Sequence, residues 1–333
     1  MITRRPRRNR MSAAVRGMVQ ETHLTVEHLV QPLFLVDGQG IKNEVPSLLG
    51  TFRFSPDLVL NEVEECLQLG ITNFIMFPAV AEDLKNKEAT YSYDANNFYL
   101  KTASEIKKRF PETCLISDVA MDPYNSDGHD GYVRAGKIQN DETLPILAKM
   151  SVAQAEAGFD ILGPSDMMDG RVGTMRAALD EAGFMDTGIM AYTAKYASAF
   201  YGPFRQALDS APRDLENVPK DKKTYQMNPA NKREALIEAD LDVQEGADFL
   251  MVKPALHYLD VIHLLKENYD LPIAAYHVSG ECTLLLAAAK LGWIDFDRAM
   301  PETLLSIRRA GADVIITYFA KEFARTEDRR MGK

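Results

Sequence analysis

Length, composition and charge exclude several classes of protein for this chain. Its 333 residues, 46% of them apolar, suffice for one large hydrophobic core or two smaller ones, and the formal net charge is −10. No apolar run approaches the roughly 18 residues of a membrane-spanning helix, and the Arg-rich start lacks the apolar stretch of a secretory signal. Cys66, Cys114 and Cys282 are odd in number and widely spaced, which indicates neither a disulfide framework nor a CxxC metal site and favours a reducing, cytoplasmic compartment.

Positive charge is concentrated at the N-terminus. Residues 1–20 contain six arginines and no acidic residue, so the remainder is more acidic than the average suggests. Such a segment binds nucleic acid or anionic lipid, or else lies on the acidic surface of a sister subunit. No aromatic residue is interleaved with the arginines, which leaves base stacking unsupported, so we predict an intersubunit arm over residues 1–25 and no nucleic-acid partner. The arginines are Arg4, Arg5, Arg7, Arg8, Arg10 and Arg16.

Eight short runs of strand-forming residues recur along the rest of the chain, and most precede a segment with helical periodicity. The strand runs are 31–36, 72–77, 113–118, 159–163, 188–192, 248–253, 272–277 and 313–318. The helical segments are 56–69, 142–157, 231–245, 281–291 and 302–310, each followed by a glycine. Eight βα units predict a single TIM (β/α)8 barrel over residues 26–333, with a doubly wound sheet as the alternative. No GxGxxG follows any strand run, which disfavours a dinucleotide-binding sheet.

Two lysines follow apolar strand runs. Lys253 ends the run that begins at Phe249, and Lys195 comes three residues after Tyr192. Lysine is rarely buried without a partner, and desolvation together with a neighbouring cation lowers its pKa, so that the amine attacks carbonyls as a Schiff-base nucleophile. The alternative for each is an aliphatic stem packed on apolar surface with its head in water. Two lysines at equivalent strand ends favour the chemical interpretation.

Other reactive side chains also fall at predicted C-terminal strand ends, where TIM barrels carry their active sites. They are Asp118, Ser165, Asp166, Ser279 and Tyr318. Two long polar segments, 123–140 and 201–229, are expected at the same end, the second as an inserted loop or lid.

The loop after Asp118 is rich in oxygen ligands. Asp122, Asp127, Asp130 and His129 follow within a few residues. Carboxylates suit Mg²⁺ and similar hard cations, whereas a loop of solvated aspartate turns is the alternative.

Several of these blocks resemble the 5-aminolevulinate dehydratase (porphobilinogen synthase) family. The run 251–260, with Lys253, is similar to the Schiff-base signature of that family. The supporting blocks are 164–171, 194–198, 201–205, 225–231, 278–281 and 317–321. The resemblance covers nearly the whole chain and implies a TIM barrel with an extended N-terminal arm, assembled as a homo-oligomer, typically an octamer of arm-exchanged dimers. It implies condensation of two 5-aminolevulinate molecules to porphobilinogen with loss of two waters, an early step of tetrapyrrole synthesis.

The same resemblance implies roles for individual residues. Lys253 forms the Schiff base with the substrate that becomes the propionate side, and Lys195 binds or activates the second substrate. Ser279 and Tyr318 match the groups that bind the first carboxylate. The groups that match the second substrate site are Arg205, Lys222 and Gln226, and Ser165 is assigned to substrate binding with them.

Metal binding is where relatives differ. Zinc-dependent members have three cysteines at the positions of Ala120, Asp122 and Asp130, so a thiolate zinc site is excluded and the chain resembles the aspartate-rich, magnesium-responsive branch. Asp118, Asp122 and Asp130 either bind a cation or position the second substrate's amine and transfer protons.

Three further assignments concern residues outside that trio. Glu238 matches a glutamate that holds an allosteric Mg²⁺ at a subunit interface. Asp127 departs from the histidine usual there. We also predict an ion pair between Asp169 and Arg171.

Two other functions compete with this one. A class I aldolase is also a barrel with a strand-end lysine, but it needs one Schiff-base lysine and has no use for an aspartate-rich loop. A binding protein would depend on the basic arm and associate with nucleic acid in a salt-sensitive manner.

Overall fold

Parallel strands close into a barrel in the computed structural model, which describes residues 2–331. In the described chain, eight strands form the ring: β1 (Leu29–Val36), β4 (Asn73–Ala79), β5 (Cys114–Ile116), β8 (Ile161–Leu162), β9 (Gly188–Lys195), β10 (Phe249–Lys253), β11 (Ile273–His277) and β12 (Val314–Thr317). Each pairs with the next in this order, and β12 pairs with β1 through Leu29 and Ile315, which closes the ring. The predicted TIM barrel is confirmed, and each predicted strand run contains or overlaps one of these strands.

Helices surround the ring, and short strands decorate its loops. The helices within residues 2–331 are α1 (Ala13–Met18), α2 (Pro56–Gln68), α3 (Phe98–Arg109), α4 (Asn140–Glu156), α5 (Arg171–Glu181), α6 (Gly202–Leu208), α7 (Glu234–Gln244), α8 (Leu259–Asn268), α9 (Ser279–Lys290), α10 (Phe296–Ala310) and α11 (Ala320–Met331). The additional strands are β2 (Lys42–Glu44), β3 (Phe52–Phe54), β6 (Val133–Arg134) and β7 (Lys137–Ile138). The five predicted helices correspond to α2, α4, α7, α9 and α10.

Burial explains why the barrel strands were recognisable. β1, β9, β10 and β11 are buried along almost their entire length, because the strands of a parallel barrel are covered by side chains inside and by helices outside. β9 and β10 lie side by side, and Lys195 and Lys253 are direct partners in their register. The two lysines therefore leave neighbouring strands at the same end of the barrel.

Two long loops cover that end. The segment after β5 carries the β6–β7 hairpin, and the segment after β9 contains α6 and a stretch without regular structure up to α7. The loops touch at Gly128, where a Cβ atom would lie 2.2 Å from the carbonyl oxygen of Ala211. Gly128 also has a φ of +72°, so only glycine permits this close contact between the loops.

The N-terminal segment is exposed over most of its length, and Leu24 near its end packs against the hydrophobic core. Residues 2–25 contain a 3₁₀ turn, Pro6–Arg10, and the short helix α1, and neither has a buried residue. Met11 and Met18 are 71% and 79% exposed. Within residues 2–331 no helix has the length and apolar character to cross a membrane.

Candidate active site

Lys253 lies in an aromatic enclosure at the C-terminal end of β10. Its side chain is buried, and its Nζ is 4.5 Å from the centroid of the Tyr276 ring, 4.8 Å from Phe204 and 5.1 Å from Tyr192. Burial lowers the pKa of Lys253 to about 7, and the positive charge of Lys195 acts in the same direction. The amine is therefore neutral in a large fraction of molecules near neutral pH, as a carbonyl nucleophile must be.

Lys195 is equally buried but has polar partners. Its Nζ donates to the backbone carbonyl of Ser165, near the start of the loop after β8, and lies 3.9 Å from Oδ1 of Asp130. The two strand-end lysines predicted from the sequence therefore lie in one site. The amine of Lys253 faces aromatic rings, and the amine of Lys195 faces oxygen atoms.

The aspartate-rich loop faces these amines. Lys222 Nζ lies 3.1 Å from Oδ2 of Asp122 and 2.9 Å from Oδ2 of Asp130, and all three side chains are buried. Burial raises the pKa of Asp122, and the charge of Asp130 raises it further. Burial also opposes ionisation of Asp130, but the ammonium groups of Lys195 and Lys222 outweigh it and hold the pKa of Asp130 below its usual range.

Asp118 has the properties of a proton-transfer group. Burial, followed by the charge of Asp122, raises the pKa of Asp118 to about 6, while a hydrogen bond from Ser165 opposes the rise. The backbone is fixed on both sides: Tyr99 accepts from the Asp118 amide at 3.4 Å, and Gln154 Nε2 donates to the Asp118 carbonyl at 3.0 Å. A carboxyl group with a pKa near 6 exchanges protons readily at neutral pH.

A cation site at Asp118, Asp122 and Asp130 stays a prediction. Among residues 2–331, no group of three or more His, Cys, Asp and Glu side chains is placed to hold a metal ion. The Lys222 ammonium lies between Asp122 and Asp130, where a cation bridging them would have to be. That contact with an ammonium group is compatible with the alternative prediction, in which the carboxylates bind an amine and transfer protons.

The predicted carboxylate-binding residues form two groups. The Ser279 hydroxyl accepts from the Phe204 amide at 3.0 Å, and the Tyr318 hydroxyl lies 3.2 Å from that of Tyr276, so both border the Lys253 enclosure. Gln226 belongs to the second group: its amide donates to the Lys222 carbonyl at 2.9 Å, and its Oε1 is buried without a hydrogen-bond partner in the described chain.

Arg205 directly follows Phe204, one of the rings around Lys253. It is half-buried on α6, with its guanidinium carbon 6.0 Å from the centroid of the Tyr201 ring. No ion pair to Arg205 is found within residues 2–331, so its fork is available for an anion.

His129 connects the aspartate-rich loop to the lid and was not assigned a role from the sequence. Its Nε2 donates to the Pro219 carbonyl at 2.7 Å, which leaves Nδ1 to accept from the Tyr225 hydroxyl at 3.0 Å. Neighbouring Asp127 is also buried, and its Oδ2 lies 3.8 Å from Nζ of Lys87. The order of this loop thus comes from contacts with segments distant in the chain, which no local pattern indicates.

The predicted ion pair between Asp169 and Arg171 is wrong. Arg171 is buried at the start of α5 and faces Asp242 of α7, with Nη1 3.3 Å from Oδ1, and Asp166, with Nε 3.9 Å from Oδ2. Asp169 is exposed, and its amide donates to Asn140. Gly170 adopts a φ of +77° between them, so the chain turns and the two side chains separate.

Glu238 lies outside the barrel mouth, half-buried on α7. Burial raises its pKa to about 7; Arg171 opposes the rise, while the nearby acids Asp242, Asp169 and Glu234 add to it. It lines a cavity of about 670 Å³ together with Asp169 and Glu234. Mg²⁺ binds to carboxylate oxygens and keeps several water ligands, so Glu238 stays the residue predicted to hold it.

Comparisons with known proteins identify a family for this chain. The model of the family described as delta-aminolevulinic acid dehydratase matches residues 3–326. A delta-aminolevulinic acid dehydratase of Chlamydia pneumoniae is 49% identical over 96% of this chain and 95% of its own length, and one from Bradyrhizobium diazoefficiens is 48% identical over 96% and 90%. The chloroplastic protein of rice is 51% identical over 97% of this chain and 75% of its own length.

The fold agrees as well. A solved structure of delta-aminolevulinic acid dehydratase (porphobilinogen synthase) from Toxoplasma gondii ME49, in complex with the product porphobilinogen, superimposes with a TM-score of 0.95 and 48% identity over 100% of this chain and 94% of that chain. The family suggested by the sequence motifs is confirmed: this chain belongs to the delta-aminolevulinic acid dehydratase family.

Proposed function

We propose that this chain condenses two 5-aminolevulinate molecules to porphobilinogen with loss of two waters, in tetrapyrrole synthesis, and that Lys253 and Lys195 carry the chemistry. Family membership supports the reaction. The observation that carries the residue assignment is the pair of buried lysines in register on adjacent strands, one of them with its pKa lowered to about 7.

The surroundings of Lys253 suit imine formation. The neutral amine adds to the ketone carbon of the first substrate, and expulsion of water leaves a C=N bond to Nζ. The aromatic rings exclude water that would hydrolyse this bond. Ser279 and Tyr318, which border the enclosure, would hold the carboxylate of the same substrate through their hydroxyl groups.

The polar half of the site suits the second substrate. Lys195 would form a second imine with its carbonyl, with loss of water, and Asp118, with a pKa of about 6, would exchange the protons that condensation and water loss require. Asp122 and Asp130 would receive the substrate ammonium group. Arg205, Lys222 and Gln226 would bind its carboxylate, with Arg205 as the bidentate partner.

Contacts between the lid and the aspartate-rich loop would keep water out during the reaction. Lys222 bridges Asp122 and Asp130, and His129 binds both Pro219 and Tyr225. Closing a site in this way strengthens its electrostatic interactions and commits the bound substrates.

Mg²⁺ is proposed as an activator held by Glu238, remote from the reacting atoms. One carboxylate with water ligands is a typical Mg²⁺ environment, so the affinity is expected to be modest. The homo-oligomer, an octamer of arm-exchanged dimers, is proposed because the 3₁₀ turn and α1 of the basic arm have no buried residue on their own barrel. A cytoplasmic location is proposed on the three free cysteines.

A combined product and trapping assay tests the proposal. The protein is incubated with 5-aminolevulinate and assayed for the pyrrole by a colour reaction, and a parallel sample is reduced with borohydride and mapped by mass spectrometry. We expect pyrrole and reduced adducts on Lys253 and Lys195. Lys223→Arg, which alters an exposed lysine of the same lid, is the control and should behave as the unaltered protein. An adduct on a single lysine without pyrrole would indicate a class I aldolase instead.

A further inference from the structure

Three buried ionisable side chains form a cluster between β9, α7 and the loop after β8. None of the three has a role in the proposed chemistry. Arg171, Asp166 and Asp242 are each at most 3% exposed. Burying charged groups is costly unless geometry and hydrogen bonds compensate, so such a cluster requires an explanation beyond general stability.

The guanidinium of Arg171 joins three separate elements. Nη2 donates to the Tyr192 carbonyl of β9 at 3.3 Å, Nη1 donates to the Met168 carbonyl at 3.3 Å, and both nitrogens face the carboxylate of Asp242 on α7. These directions need the planar fork of arginine, because a lysine ammonium is a point donor on a flexible stem.

The loop held by Arg171 is the one that carries Ser165. Asp166 faces Arg171 through Oδ2, and its Oδ1 accepts from the Met168 amide at 2.7 Å. Between them Met167 has a φ of +66°, a strained conformation for a residue with a side chain that persists only where the surroundings fix it. The Ser165 carbonyl at the start of this loop accepts the hydrogen bond from Lys195.

We infer that Arg171 is a positioning residue for Lys195. It fixes the Ser165 carbonyl through the loop, and it fixes β9 through the Tyr192 carbonyl, three residues before Lys195. Without the guanidinium of Arg171, the Ser165 carbonyl and β9 both shift. The amine of Lys195 then loses its alignment with the second substrate. This inference rests on the proposed covalent role of Lys195.

Arg171→Lys in the full-length protein tests the inference. It preserves the charge and removes the fork. We expect a folded protein whose kcat falls on the order of a hundredfold, the cost of a displacement of about 1 Å at a reacting group, with KM nearly unchanged. Borohydride trapping with 5-aminolevulinate should retain the Lys253 adduct and lose the Lys195 adduct.

The matched control is Arg176→Lys on the same helix. Arg176 binds the Thr187 and Phe184 carbonyls and Asp180, all distant from the Ser165 loop, so both adducts and kcat should be retained. If Arg171→Lys behaves like this control, the positioning role is refuted.

The remaining outcomes are also decisive. If the unaltered protein is trapped at neither lysine, the proposed function fails; if it is trapped on Lys253 alone, the role of Lys195 that underlies the inference is removed. Should Arg171→Lys not fold, Asp242→Asn removes the partner charge while preserving shape, and the same loss of the Lys195 adduct is expected with a smaller fall in kcat. Unfolding of both variants would assign Arg171 to the stability of the whole fold and overturn the inference.

Discussion

The reactivity of Lys253 should depend on pH in a way that an ordinary lysine cannot reproduce. With its pKa lowered to about 7, roughly half of the amine is neutral at neutral pH, whereas a lysine with the usual pKa of about 10.4 is neutral in roughly one molecule in 2,500. Imine formation requires the neutral amine. Its rate should therefore fall about tenfold per pH unit as the pH decreases below 7, and it should level off above 7.

The pH at which imine formation reaches half of its maximal rate is the midpoint of this profile. Removing the positive charge of Lys195 should raise that midpoint. Lys195 lowers the pKa of Lys253 by repulsion, so Lys195→Met relieves that repulsion. The substitution also removes the 3.9 Å ion pair between Asp130 and Lys195, and the negative charge of Asp130, now less neutralised, favours protonation of Lys253 further. Lys195→Arg preserves the positive charge and is the matched control, with a midpoint close to that of the unaltered protein.

The rate of borohydride trapping, measured by intact-mass spectrometry from ~pH 5 to ~pH 10, gives the midpoint for each protein. Trapping is the appropriate assay because it reports the imine on Lys253 even where turnover has been lost. A rate that is still rising at about pH 10 in the unaltered protein would refute the lowered pKa. Equal midpoints in Lys195→Met and Lys195→Arg would refute the contribution of charge repulsion and leave desolvation as the only cause.

Four further outcomes are expected. Lys253→Arg should lose both pyrrole formation and trapping with little change in melting temperature, because its guanidinium stays protonated. Asp118→Asn should lower kcat at least about a hundredfold at any Mg²⁺ concentration, since it removes a proton-transfer group. Glu238→Gln should preserve basal turnover, lose the stimulation by Mg²⁺, and show no Mg²⁺ binding heat by calorimetry. Deleting residues 1–20 should leave a folded barrel that sediments as a smaller assembly, and high salt should weaken the intact assembly; unchanged sedimentation would contradict the role of the arm.

The barrel was predictable because its strands are local features. A parallel strand covered on both faces is a short continuous apolar run, and each of the eight runs stands out for that reason. Strand ends were less certain: β9 continues to Lys195, three residues beyond the predicted end at Tyr192, because Thr193 and Ala194 are buried and the strand remains paired with β10. Pairing is a tertiary property that the sequence of one strand does not contain.

The site was predictable only where single residues are unusual. A lysine after an apolar run is conspicuous, whereas the rings around Lys253 come from β9, α6 and β11 and are ordinary core residues taken singly. Lys222 meets Asp122 across 100 positions of sequence. The error over Arg171 has the same origin, because its partner Asp242 is 71 positions away while Asp169 is only two.

The arrangement of charges explains why one lysine rather than the other should be the stronger nucleophile. The site contains three buried lysines and three buried aspartates, so their charges nearly balance and little net charge is desolvated. They are Lys195, Lys222, Lys253, Asp118, Asp122 and Asp130. The carboxylates are unevenly placed: Lys222 has two within 4 Å and Lys195 has one, whereas no ion pair to Lys253 is found within residues 2–331. Aromatic faces attract a cation by only about 1–2 kcal/mol, which is too little to offset full desolvation. Lys253 is therefore the amine whose pKa is lowered, while Asp130 and the Ser165 carbonyl hold the amine of Lys195 in place for a second substrate.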